Sequence, residues 1–254
     1  MTARPVDMYQ VRIPLKAVKK LSDEDRFSYY LLGHMFNELM SLQKIVGFTL
    51  PKHDDLRPAR VRPEQAQAMF MFRLASGKIW ESVLAIRDKH LAKTLLNLIL
   101  PRMADGLARL KAVNVAVASA PWLSPLRNGM GFHAPGFDDW KAHIVPDESW
   151  VDDVVFMGKQ SGKTFYDAAD TVAQAWMFSQ YGVDEVRDAM DPLINQMIEL
   201  IGLVVTFLED CLTIFIGAVL LDGAPPREHI GKVLSPQHDK VFVPFWTAMP
   251  QRKD

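Results

Sequence analysis

The stretch LRNGMGFHAP, Leu126–Pro135, brings together a guanidinium, a carboxamide and an imidazole: Arg127, Asn128 and His133. An imidazole takes up or releases a proton near neutral pH, whereas a guanidinium stays charged throughout. At the mouth of a helix such a pair reaches one phosphodiester. It then has the parts for metal-free RNA cleavage: a base to activate the 2′-hydroxyl, and a cation for the charge that grows on the phosphorane oxygens. Arg127 is the candidate cation, His133 the candidate proton-transfer group and Asn128 a candidate positioning group.

Other constellations point elsewhere. GKQSGKT, Gly158–Thr164, lacks the spacing of a phosphate loop, because only Lys159, Gln160 and Ser161 separate Gly158 from Gly162. It reads as the tip of a β-hairpin whose Lys159 and Lys163 are candidate contacts for a polyanion. His34 and Glu38 share a helix face, yet there is no HExxH and no Glu-x-x-His, so His34 is expected inside the bundle as a hydrogen-bonded histidine. His53, beside Asp54 and Asp55, is expected in a solvated loop, and His229 and His238 lie in the tail without a partner cluster. No metal site and no cofactor are expected. Without a G-x-S-x-G turn, serine hydrolase chemistry has no support.

The elements that must position these residues are helices. In LSDEDRFSYYLLGHMFNELMSLQKIVGF, Ser22 is an N-cap, Asp23, Glu24 and Asp25 fill the first turn, and Phe27, Leu31, Leu39, Leu42 and Val46 keep helical spacing. A second long helix is expected to start at Pro63 and to break near Gly77 or His90, with Pro101 ending or kinking the next segment. A further helix over MADGLARLKAVNVAVASA stops at PWLSP. VVFMGKQSGKTFY reads as a small hairpin, and DAADTVAQAWMFSQYG as a helix. The run from Asp191 through Gly223 is interrupted by Glu199, Glu209 and Asp210, which makes it a buried helix rather than a membrane span; its apolar residues on several sides suit a bundle centre or a subunit interface. Between Met1 and Leu15 the alternation of Tyr9, Val11, Ile13 and Leu15 with polar residues suggests a short strand that Pro14 limits to an edge, and KVFVPFW near the C-terminus is strand-like. The fold class that follows is all-α: a helical bundle with a small peripheral β-hairpin or edge strands. A single domain is expected over residues 1–254, with residues 1–20 as an arm and 222–254 as a polar tail.

Composition narrows the functions. With 49% hydrophobic and 23% charged residues the chain has material for a large core, and its net charge of -1 excludes holding nucleic acid by bulk positive charge, leaving only local basic patches. The single cysteine, Cys211, lies in an apolar run and reads as a buried thiol. The N-terminal residues do not form a secretory signal, so the expected location is cytoplasmic.

The motif RNGMGFH, following a helical region, resembles the R-(polar)-x(3–5)-H motif of the HEPN superfamily, helical bundles whose catalytic members are metal-independent endoribonucleases. The resemblance implies that Arg127 acts as the phosphate and transition-state cation, His133 in proton transfer or in orienting the 2′-hydroxyl, and Asn128 in positioning. It implies RNA as substrate and a homodimer pairing two motifs, with any antitoxin or neighbouring partner unspecified. The chain departs from the pattern at Gly129, Gly131 and Pro135, which work against a helix through the motif at ~1 kcal/mol for each Gly relative to Ala. An alternative gives these residues no chemistry: Arg127 caps the preceding segment, Asn128-Gly129 turns, and His133 packs under Phe132 and Pro135 in a non-catalytic interaction or RNA-binding module. A third reading is a bundle that binds a ligand inside through His34 and Glu38.

Overall fold

The computed structural model describes residues 3–51, 53–131, 136–144, 153–158, 163–181, 186–224 and 227–247. Strand β1 (Ala3–Gln10) leads through a short helix α1 (Leu15–Lys19) into α2 (Asp23–Thr49). Ser22 Oγ accepts the Asp25 N–H at 3.1 Å, so the expected cap is in place. Leu32, Met35 and Leu39 form the buried stripe of α2, at the spacing that keeps one helix face toward a core.

Helix α3 (Pro58–Ile86) begins earlier than the expected start at Pro63. Pro58 takes the first-turn position, where a missing N–H costs nothing, and Pro63 lies inside the helix. Gly77 does not break it, being buried within continuous helix. The break comes at Asp88, whose side chain accepts the His90 N–H at 2.9 Å and starts α4 (Lys89–Thr94). A π-helical turn, Leu95–Ile99, and a 3-10 turn around Pro101 follow, and then α5 (Gly106–Ala118). A Cβ on Gly106 would stand 2.6 Å from the Leu100 carbonyl oxygen, so only glycine allows this close return of the chain.

A short helix α6 (Leu123–Leu126) runs on as a π-helical turn, Arg127–Gly131, and is followed by α7 (Phe137–Trp140). Strands β2 (Val155–Met157) and β3 (Thr164–Tyr166) pair antiparallel, as the hairpin reading expects. Then come α8 (Asp167–Tyr181) and α9 (Val186–Ile214), the latter extended by a π-helical turn, Phe215–Leu220. By length and composition the Pro192–Leu220 stretch is apolar enough to cross a membrane. In the fold it is a bundle helix: Leu193, Met197, Leu200, Ile201, Val204, Leu208, Cys211 and Phe215 are buried, and Asn195, Glu199, Thr206, Glu209 and Thr213 form an exposed polar stripe. Of the two expected places for this helix, its buried face occupies the bundle centre, while Ile198 is 49% exposed.

The core is continuous between α2, α3, α4, α6, α8 and α9. Phe72 stacks on Trp122 with ring centroids 5.7 Å apart, and the Trp122 indole N–H donates to Gln196 Oε1 at 2.8 Å, so this large ring is buried without an orphan donor. The molecule is thus a mostly helical bundle with two small two-stranded antiparallel sheets at its edges.

The second sheet joins the arm to the tail. β4 (Glu228–Pro236) pairs antiparallel with β1, and Ile230 is an extra, bulged residue beside Gly231, whose φ of 124° suits glycine. The strand lies within the expected Met1–Leu15 stretch and before Pro14, but it ends at Gln10, so Val11 and Ile13 do not continue it and Leu15 opens α1. The strand-like VFVPFW does not join a sheet among the described residues. It lies across α2 and α3, with the Val243 N–H donating to Phe48 O at 2.8 Å and Gln67 Nε2 donating to Val243 O at 2.9 Å.

Candidate functional site

Arg127 and Asn128 sit in the π-helical turn that continues α6. The glycines expected to take the motif out of helix do not do so through Gly131. The reason lies in packing at Gly129: a Cβ there would stand 2.4 and 2.6 Å from the indole carbons of buried Trp176. Glycine loses helix propensity but lets the wide turn press against that ring. The alternative reading's Asn128-Gly129 turn is likewise replaced by this helical turn.

The Arg127 side chain is engaged. Its Nε donates to Glu81 Oε1 at 2.7 Å, Nη2 lies 2.7 Å from the same oxygen, and Nη1 donates to Asn128 Oδ1 at 2.8 Å. Asn128 Nδ2 in turn reaches Ser124 Oγ at 3.4 Å. Arg127 is half-buried and Asn128 exposed. The guanidinium thus ties the motif turn to α3 and has a carboxylate where an incoming phosphate would have to sit. His133 lies outside the described residues, as does Lys159.

His34 is not inside the bundle: its side chain is 66% exposed, with Nε2 3.4 Å from Glu38 Oε2. Glu38 is held instead by Lys78, whose Nζ donates to both carboxylate oxygens at 2.9 Å. The position faces outward because Leu32, Met35 and Leu39 occupy the core stripe of α2. An interior ligand site built on His34 and Glu38 is thereby ruled out.

A denser polar cluster forms where the sequence suggests only a solvated loop. His53 is 16% exposed and its Nε2 hydrogen-bonds to Glu64, which is 2% exposed in the second turn of α3. The Asp55 N–H donates to His53 Nδ1 at 3.2 Å, so Nδ1 is the acceptor nitrogen and Nε2 carries the proton toward Glu64. Both ring nitrogens are committed, which makes this a positioning histidine. Asp55 accepts from Arg57 Nε at 2.9 Å, from Arg57 Nη2 at 2.6 Å and from Arg60 Nη1 at 3.2 Å. Hydrogen bonds from Arg57 hold its carboxyl far below the usual range.

Three residues of this cluster line a cleft of about 480 Å³. Arg57, Arg60 and Glu64 contribute from the start of α3, Phe156 and Gly158 from the β2–β3 hairpin, and Trp246 from the C-terminal segment. Lys163 adjoins Gly158: the Gly158 N–H donates to Lys163 O at 2.6 Å, and a Cβ on Gly158 would meet Lys163 Cβ at 2.8 Å. The hairpin is anchored by an ion pair between Arg62 of α3 and buried Asp167 at the start of α8, and by the Asp167 N–H donating to Val154 O at 3.1 Å. One turn on, burial raises the Asp170 carboxyl and lowers the Arg73 guanidinium, with each charge partly opposing the other's shift. Nε and Nη1 of Arg73 are buried with no hydrogen-bond partner among the described residues.

A helical bundle edged by two β-ribbons, with a neutralised arginine motif on one side and a basic, aromatic cleft on another, is the class of molecule these features define. No protein-family model, no curated protein and no solved structure matches this chain. Among the described residues no group of three or more His, Cys, Asp or Glu side chains is placed to hold a metal ion. The cleft escaped the sequence reading because its members come from three distant segments. One signal was present: the PARVRP run at the head of a helix.

Proposed function

We propose that this protein is a non-catalytic helical-bundle module that binds RNA. The observation that carries the reading is the closure of Arg127 on Glu81 and Asn128 at 2.7 and 2.8 Å, which gives the motif arginine a structural task. Such a half-exposed pair contributes at most ~1 kcal/mol to stability, enough to seat the turn and too little to explain the fold. The exposed Arg57 and the half-buried Lys163 are the candidate local contacts that a neutral protein needs for a polyanion.

The test is incubation of the purified protein with structured RNA in EDTA, followed by both gel mobility and RNA integrity. The expected result is retarded, intact RNA for wild type and for Arg127→Ala. RNA that migrates freely removes the binding reading. Metal-resistant cleavage lost in Arg127→Ala establishes the second reading, a HEPN-type endoribonuclease acting by 2′-hydroxyl attack. One observation favours that second reading: Arg127 and Asn128 are hydrogen-bonded neighbours on a solvent-accessible turn, so a phosphate displacing Glu81 would meet both. His133→Ala then serves as the companion variant, and sedimentation equilibrium tests the homodimer that pairing of two motifs entails.

A further inference from the structure

We propose that the cleft between the start of α3, the β2–β3 hairpin and Trp246 binds a nucleoside phosphate, as a free mononucleotide or as one unit of single-stranded RNA. The RNA source rests on the reading above; the mononucleotide source stands without it.

Two aromatic side chains line the cleft, and both are fixed before any ligand arrives. The Trp246 indole N–H donates to Ala59 O at 2.7 Å and its ring meets Phe245 edge-on with centroids 4.8 Å apart. Phe156 stacks on buried Phe165 at an interplanar angle of 12°. Partly exposed and immobilised, the two rings offer π-faces at low entropic cost, and unstacked bases bind on such faces.

The cations stand on the same cleft. Asp55 orients Arg57 and Arg60 through three hydrogen bonds and leaves Arg57 Nη1 and Arg60 Nη2 without a partner among the described residues. Arg57 is 80% exposed. Arg57 and Arg60 line the cleft with Glu64; counting Asp55, bonded to both arginines, and Lys163, next to the lining residue Gly158, the local balance is one positive charge. Pre-oriented guanidinium forks match phosphate oxygens.

The combination selects the ligand class. A bare anion would leave the rings unused, and an apolar ligand would bury the guanidiniums unpaired. A nucleoside phosphate supplies a flat heterocycle at one end and an anionic phosphate at the other, and a volume of about 480 Å³ lies in the range of small-ligand sites.

The experiment measures binding of AMP by calorimetry, and of a labelled 12-nucleotide single strand and its duplex by fluorescence anisotropy, to the full chain and to Arg57→Ala, Lys163→Ala and the double variant. These side chains lie at the surface or half-buried, and thermal melts report whether each variant is folded. The double variant is expected to bind the single strand at least about tenfold more weakly, with a salt slope reduced by roughly two. Phe156→Ala tests the stack, with a further loss of about fivefold or more. AMP bound in a cleft-dependent way without RNA binding assigns the free nucleotide and sinks the RNA reading. RNA binding unchanged in the folded double variant keeps that reading and overturns the cleft; so does a preference for duplex. Binding of neither ligand at millimolar concentration overturns both.

Discussion

The indole N–H of Trp246 donates to the carbonyl oxygen of Ala59, 187 residues earlier, at 2.7 Å. Ala59 is four residues before Pro63, and Pro63 has no N–H to give to that carbonyl. The C-terminal segment thus supplies the donor that the proline withholds, and in doing so fixes one wall of the cleft.

Trp246→Phe keeps a ring in the wall and removes the donor. Chemical denaturation is expected to show a loss of ~1 kcal/mol, the usual net worth of one such hydrogen bond. In a Pro63→Ala background the helix satisfies Ala59 by itself, so the same substitution is expected to cost measurably less. Equal costs in both backgrounds would show that the indole acts through packing alone.

Gly129→Ala sets two effects against each other. Alanine favours helix by ~1 kcal/mol over glycine, but its Cβ would lie within 2.6 Å of the Trp176 ring, which is 5% exposed and cannot retreat. Overpacking of this kind costs ~1–3 kcal/mol, so the variant is expected to melt below wild type. A higher melting temperature would show that the turn does not press on the indole.

Cys211 is fully buried beside Asp210, and burial pushes its thiol up to about 12. At pH 8 it is therefore a thiol in the folded protein, and thiols alkylate through the thiolate. Iodoacetamide is expected to label the native chain far more slowly than the urea-unfolded chain. Rapid labelling of the native form would place the residue at the surface.

Asp88 caps α4, and the His90 N–H holds its carboxyl below the ordinary value of 3.8. A depressed folded value means that the cap's contribution is complete above the unfolded value and is lost as pH falls through the folded one. Urea midpoints of wild type and Asp88→Ala are expected to differ at neutral pH and to converge in strong acid. A gap undiminished in strong acid would mean that ionisation of the cap is irrelevant.

What the sequence disclosed was local. Ser22 and the acidic turn after it announce α2, since a cap and its helix are neighbours in the chain, and the pairing of β2 with β3 is legible because only a short polar, glycine-containing stretch of sequence separates them. Cys211 is buried as its apolar run suggests. What escaped depends on distant partners. Pro63 marks a helix start by propensity and sits inside one because Trp246 compensates it; His53 looks solvated until Glu64 closes over it. His34 went astray for a different reason, since helix spacing gives a stripe without telling which residues turn away from the core. At the motif, composition favoured a turn and tertiary packing on Trp176 kept the helix.

The pairing of β1 with β4 has a consequence for synthesis. Ala3–Gln10 finds its strand partner only in Glu228–Pro236, so on the ribosome it must travel with an unmatched edge until β4 has emerged. Helices α1 to α9 all precede β4 in the chain and can be nucleated before that moment, so the pairing of β1 with β4 closes last.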